Sequence, residues 1–463
     1  MKIISKLSQV VFLLIFCNLV FTTIYVGANF LPKDQMLSKL QKADDTGVLK
    51  TPINSIERAT TGWGIDYGTE CVALSIGLKD KQQYIGLNKY FSRFYDGFSN
   101  MGAAEGVFDP CSGLDRLVNS SSINTIDPNL QSYARNWWGM SIAMQILYLL
   151  FGLALAKTYL FILGIALTFY FYQLLSRALG NNKVGVYFLA PLILFADFQE
   201  IHNSYPFMLF YIQMILTGVL ILKLLESDFY SRSRIVALGI ICGSIYNFVF
   251  WLDFHMVITF STLTIFLATW HKHKTSRILS MIFLFESAWI LGFVFTTIYK
   301  WTLSSLLFGS EVRESIFSAL GVRLSSSSGG LNAPLSEYSQ NFSSLPVPVR
   351  AIIINLMAFA SKFVDPRNSS LAGVLIVFLI LISFFYLFLR KYRPWIYVSK
   401  FDATWIFVLA CFPIFYFLLT PNHSFNHAVV TYRAIPISLG FLLAITYQCS
   451  KYASTEMGIK QNQ

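Results

Sequence analysis

The histidines and acids of this chain fall into a few short segments rather than being scattered along it. Segment 62–78 reads GWGIDYGTECVALSIGL and sets Asp66 and Glu70 four positions apart, on one face if the piece is helical. Two neighbouring carboxylates allow one to serve as a base while the other binds a cation or sugar hydroxyls. Solvated loop acids are the plain alternative. Segment 191–208, PLILFADFQEIHNSYPFM, gathers Asp197, Glu200 and His202, a set that suits a metal, a nucleophile or a polar substrate. A dedicated zinc site has a tighter His/Cys set. Asp253 and His255 stand in WLDFH at 251–255, where helix capping would also explain them. Glu286 lies inside an apolar run, where an ion costs roughly 2.5–3.5 kcal/mol, so it must be protonated, paired or beside water. Segment 422–433, NHSFNHAVVTYR, places His423 and His427 four apart and Arg433 further on. The planar fork of an arginine suits a phosphate or pyrophosphate, with Lys300 as a second cation. Snorkelling, or pairing of Arg433 with Glu286, is the structural alternative.

These residues must be positioned by helices in a bilayer. The chain is 55% apolar and 13% charged, with a mean hydropathy of +0.56. A soluble domain carries roughly 25% charged residues and has no use for repeated uncharged runs of about 20. The 43 Phe and 24 Tyr suit lipid-facing and interfacial surfaces. The net charge of +11 sits in short loops beside the apolar runs, where it encodes orientation. Nucleic acid is therefore not an expected partner.

The expected fold class is all-α, a polytopic transmembrane bundle of about 10–11 spans with a long first extracytoplasmic loop. Residues 1–28 form the first helix, uncleaved and with its amino end in the cytoplasm. Residues 29–136 form the extracytoplasmic loop with interfacial helices, and 137–300 a transmembrane bundle. Residues 301–370 form a second outer or interfacial loop, and 371–463 the last spans and a cytoplasmic tail. The aromatics of 84–98, YIGLNKYFSRFYDGF, recur at helical spacing and predict an amphipathic helix on the membrane or within a small loop domain. Segment 137–175 predicts one full span plus a short, tilted or re-entrant helix. Oriented by charge, Asp66, Glu70, Asp197, Glu200, His202, Asp253, His255, His423 and His427 share one side. Cys71 and Cys111 are the two cysteines of the first loop, a disulfide if that loop lies in an oxidising compartment.

A first helix, a long outer loop with an early Asp, polar groups on the same face and a late basic group together resemble the GT-C class of membrane glycosyltransferases. Segment 191–210 also resembles the proline-to-polar-to-aromatic stretch of that superfamily's dolichyl-phosphate-glucose users. More closely, the chain is similar to a group of bacterial multipass proteins marked by D…TEC, Y-A-R-Y-W-H-G and N-H-S-x-x-H…Y-R. Here these read DYGTEC at 66–71, YARNWWG at 133–139 and NHSFNHAVVTYR at 422–433, with Trp138 where the pattern has histidine. The resemblance implies a polyprenyl-phosphate-linked sugar donor bound from within the bilayer, a glycan acceptor and an extracytoplasmic active site. It makes Asp66 the catalytic base, with Glu70 as second choice.

The expectation is a glycosyltransferase modifying a cell-surface or lipid-linked glycan at the extracytoplasmic face of a bacterial inner membrane. Glu70, Asp197, Glu200 and His202 would shape the acceptor site or hold a metal, and Asp253, His255 and Glu286 are further substrate-binding candidates. Lys300, His423, His427 and Arg433 would hold the donor phosphate. A divalent cation is left open as a cofactor. A transporter or flippase, or a polymerase of lipid-linked glycans, is the alternative.

Overall fold

The computed structural model describes residues 2–49, 67–78, 88, 90–94, 97–99, 110–119, 130–132, 137–195, 204–227, 231–249, 254–310, 312–314, 317–318, 344–360, 379, 382–383, 385–391, 399–421, 424 and 431–461. The chain opens with α1 (Lys2–Gly27), a helix that exposes Phe12 and Phe16 while burying Leu14 and Phe21. Buried Asn18 donates its amide to the Leu14 carbonyl and to Thr296 Oγ1, joining α1 to a later span. The first loop then folds as α2 (Lys33–Asp45), α3 (Tyr67–Ser75) and α4 (Pro110–Asn119). Two three-residue strands, β1 (Gly97–Ser99) and β2 (Leu130–Ser132), pair antiparallel with Phe98 opposite Gln131.

After α5 (Gly139–Phe151) comes α6 (Leu153–Leu179), so segment 137–175 divides into a 13-residue helix and a 27-residue one. The break is Gly152, whose φ of +80° a side chain would strain. There follow α7 (Asn182–Phe195), α8 (Tyr205–Glu226), α9 (Arg232–Val249), α10 (Phe254–Thr269) and α11 (Thr275–Phe308). The C-terminal part supplies α12 (Val347–Ala360), α13 (Lys400–Ala410), α14 (Phe412–Leu419) and α15 (Ala434–Gln461). The α9–α11 pair is the closest in backbone approach. A Cβ on Gly239 would lie 2.6 Å from the Phe285 carbonyl, one on Gly243 would meet the Trp289 carbonyl, and one on Gly292 the Ile240 carbonyl. Without a hydrophobic force between helices in lipid, such small-residue seams supply the packing.

The protein is helical and membrane-integral. Among the described residues four helices are long and apolar enough to cross a bilayer, or five if α13 and α14, bent by 48°, count as one broken span. Pro413 at the start of α14 accounts for the bend, since it removes a helical donor. That number is of the described residues alone and is no count of the whole chain to set against the expected 10–11 spans. Hydropathy registers apolar stretches but not the breaks within them, and four further apolar helices, such as Asn182–Phe195, are shorter. One expectation fails. Within 84–98 the described residues form a 3-10 turn, Ser92–Phe94, and strand β1, not an amphipathic helix. The aromatic spacing that mimics a helix serves instead to bury Phe94 between the rings of Tyr25 and Trp137, under the ammonium of Lys300.

The two ends of the bundle differ. Tyr205 opens α8 at one end, and Lys223 and Glu226 close it at the other, where Glu226 meets Arg177 at the end of α6. On a rise of 1.5 Å per residue, those ends are about 33 Å apart, a bilayer's thickness.

Candidate functional site

Helix α3 carries Glu70 in its first turn and Cys71 beside it, and the Cys71–Cys111 disulfide fastens α3 to the start of α4. Glu70 Oε1 lies 2.5 Å from Lys157 Nζ on α6, with the two side chains 4% and 12% exposed. Glu70 is thus already engaged by an ammonium, an arrangement suited to positioning. The pair joins the first loop to the bundle. Around it stand the buried Tyr148 of α5 and Tyr205 of α8, the latter within electrostatic range of both Glu70 and Tyr148. Arg93 is buried as well, within range of Tyr148.

The backbone is shaped to admit these groups. Gly77, at φ +83°, leaves room for Arg93; a Cβ there would sit 2.5 Å from a guanidinium nitrogen. Gln145 donates its amide to the Ile76 carbonyl at 2.7 Å, pinning the end of α3 to α5. Trp138 caps α5 with φ +79°, the left-handed region that costs a bulky residue of order 1–3 kcal/mol. Next to it, a Cβ on Gly139 would strike the Phe248 ring and carbonyl, so the corner is tightly built.

A second cluster involves the C-terminal segment. Thr431 donates its hydroxyl to Asn355 Oδ1 of α12 at 2.5 Å, and Asn355 Nδ2 donates to the Ser424 carbonyl at 2.9 Å. His255 Nε2 lies 3.0 Å from the Thr431 carbonyl, which can only accept, so Nε2 carries the proton. Its ring stacks on Tyr416 at 4.0 Å between centroids and is fully buried. His255 therefore braces Thr431 from inside the packed bundle. Arg433, 4% exposed, places its guanidinium carbon 4.7 Å from the Phe207 ring centroid.

The two clusters meet at the first turn of α8. Tyr205 lies within electrostatic range of Glu70, and Phe207 carries Arg433. Groups from the first loop and from near the carboxyl end are thereby brought to one end of the bundle.

Two predicted residues lie elsewhere. Glu286 Oε1 accepts hydroxyl protons from Ser261 at 2.7 Å and Thr262 at 3.0 Å, between α10 and α11, so its partners are hydroxyls and not Arg433. Lys300 is fully buried, its ammonium 4.0 Å from the Phe94 ring centroid, 4.9 Å from Tyr25 and 5.3 Å from Trp137. It also donates to the Phe94 carbonyl at 3.1 Å. This cage binds α1, α11 and the first loop together. Phe94 and Trp137 adjoin Arg93 and Trp138 of the first cluster, so Lys300 supports that cluster from behind.

Asp66, Asp197, Glu200, His202, Asp253, His423 and His427 lie outside the described residues. Among the described residues no group of three His, Cys, Asp or Glu could hold a metal ion. Sequence reasoning missed Lys157, Tyr148, Tyr205, Arg93 and Asn355. A lone lysine interrupting an apolar run was the one visible signal, for an ion in that setting requires a partner. No protein-family model, curated protein or solved structure matches this chain.

Proposed function

We propose that this protein is a membrane glycosyltransferase of GT-C type, transferring a sugar from a polyprenyl-phosphate donor to a cell-surface or lipid-linked glycan at the extracytoplasmic face. The observation that carries the reading is the convergence of Glu70 and Arg433 on the first turn of α8. Glycosyl transfer from a lipid phosphate requires a base for the acceptor hydroxyl and positive charge on the departing phosphate. Arg433, stacked on Phe207, supplies a fork of donors for that phosphate. Asp66 stands one helical turn ahead of Glu70 in sequence and takes the role of base. The Glu70–Lys157 pair and the disulfide fix helix α3, which begins at the residue after Asp66 in sequence.

The test is Asp66→Asn in cells that depend on this chain, with the surface glycan weighed by mass spectrometry. Loss of one sugar, with the protein still present and folded, is the expected result. An unchanged glycan removes the catalytic assignment.

Transport of a lipid-linked glycan is the second reading, favoured by Glu286, an acid within a span between two hydroxyl donors. Under that reading Glu286→Gln abolishes function while Asp66→Asn spares it.

A further inference from the structure

At the other end of α11, 25 residues and about 37 Å along its axis from Lys300, the turn between α10 and α11 borders an open, shallow pocket of about 400 Å³. Trp270, His273, Lys274, Thr275, Phe401 and Asp402 are among the residues lining it. Three apolar helices end here: α10 closes at Thr269, α11 opens at Thr275 and α13 opens at Lys400. The cavity therefore lies where the hydrocarbon stops and lipid headgroups begin.

Its charge is lopsided. Lys274, in its wall, is exposed, and so are Lys272, Arg277 and Lys400, which adjoin lining residues in sequence. Asp402, the acid in its wall, is occupied: Oδ1 accepts the Thr275 hydroxyl and Oδ2 the Ser399 hydroxyl at 2.8 Å. Lys272 and Lys274 have no carboxylate within ion-pair distance among the described residues. The imidazoles register the same field. Burial, then Lys272 and His273, hold His271 below its ordinary value; burial, then Arg277 and Lys272, do so for His273. Trp270 is half-buried, and Phe401, 56% exposed, offers an apolar edge beside the cations. An aromatic next to clustered lysines at a helix end is the composition that grips a lipid at its headgroup.

We propose that this pocket binds the phosphate headgroup of an anionic phospholipid, with Lys274 on the phosphate, Lys272 adding its charge from the same turn, and Phe401 and Trp270 along the glycerol and upper acyl chain. The occupant is a lipid because the cavity opens at the ends of apolar spans with exposed Phe401 at its rim. The site lies at the end of the bundle away from the Glu70–Arg433 clusters and does not depend on the catalytic reading.

The test uses the full chain in detergent, titrated with phosphatidylglycerol and with phosphatidylcholine, and bound lipid counted by native mass spectrometry. Phosphatidylglycerol should be retained in preference. Lys272→Gln and Lys274→Gln should each weaken its retention about fivefold, since a lysine at an anionic headgroup contributes about 1 kcal/mol. Lys183→Gln, in the first turn of α7, should leave it unchanged. Both lysines are exposed, so an unaltered thermal transition will show that the variants fold. Equal retention of the two lipids overturns the site. So does an equal loss with Lys183→Gln, which would mean diffuse attraction to a basic face. Displacement of the lipid by inorganic phosphate at matching concentration would make the cavity a soluble-anion site and overturn the assignment to lipid.

Discussion

The carboxylate of Glu70 and the ammonium of Lys157 form a buried ion pair, 2.5 Å apart, between the first loop and the second long helix of the bundle. Removing one partner strands the other in a poor dielectric, which costs about 3–5 kcal/mol, whereas replacing both with apolar groups is close to neutral. Glu70→Gln and Lys157→Met should each lower the thermal transition in detergent markedly. The double variant should recover most of the loss. A double-mutant cycle with no coupling would show that the two groups do not interact.

The disulfide acts on the same segment. Cys71 and Cys111 are 40 positions apart, and closing a loop of that size restricts the unfolded chain, for about 2–4 kcal/mol. Cys71→Ala should therefore destabilise the first loop while leaving the bundle folded. Hydrogen exchange can separate the two: amides of α3 and α4 should lose protection and those of α9 and α11 should keep it.

The α9–α11 seam is predicted to be intolerant of even one methyl. A Cβ on Gly239 has the Phe285 carbonyl 2.6 Å away, and backbone cannot swing aside as a flexible side chain does. Gly239→Ala should cost about 1–3 kcal/mol. Gly27→Ala, with nothing near its Cβ position, is the matched control and should be silent. Equal thermal transitions for the two variants would mean that α9 and α11 lie further apart.

Acidification should loosen the turn at 270–274. His271 and His273 both have folded values below the unfolded one, so the unfolded chain binds more protons as pH falls. Stability from these groups is present above the unfolded histidine value of about 6.5 and is lost as pH drops through and below it. Exchange rates of the turn amides, compared between neutral and acid pH, should rise relative to those of the α11 interior. Replacing both histidines with glutamine should flatten that difference.

Residue type and compartment made the cysteine pair legible in the sequence, and Glu70 stood out by its spacing from Asp66. Its partner did not stand out. Lys157 reads as an interruption in an apolar run, and only the folding of α3 against α6 gives it a mate. His255 and Lys300 stand out in the sequence as ionisable groups. Their surroundings were invisible, because stacking on Tyr416 or caging by Tyr25, Phe94 and Trp137 depends on rings far away in sequence. The misread segment 84–98 shows the same limit. Aromatic spacing reports that rings are to be buried, and a 3-10 turn can bury them as well as a helix can.

Arg433 tests the donor side of the proposed reaction. Its guanidinium is buried against Phe207, so Arg433→Lys keeps a positive charge but loses both the planar fork and the stacked face. If the fork holds the donor phosphate, losing one charge-assisted hydrogen bond costs about 1.5–3 kcal/mol, roughly 10- to 150-fold in transfer. Arg433→Gln, with no charge, should fall further still. A purely structural arginine would give another pattern: both variants would lower the thermal transition, and whatever protein remained folded would modify the glycan at the original rate. Glycan mass per folded molecule, measured across the two variants, separates these cases, and full activity in Arg433→Lys would take the phosphate away from this residue.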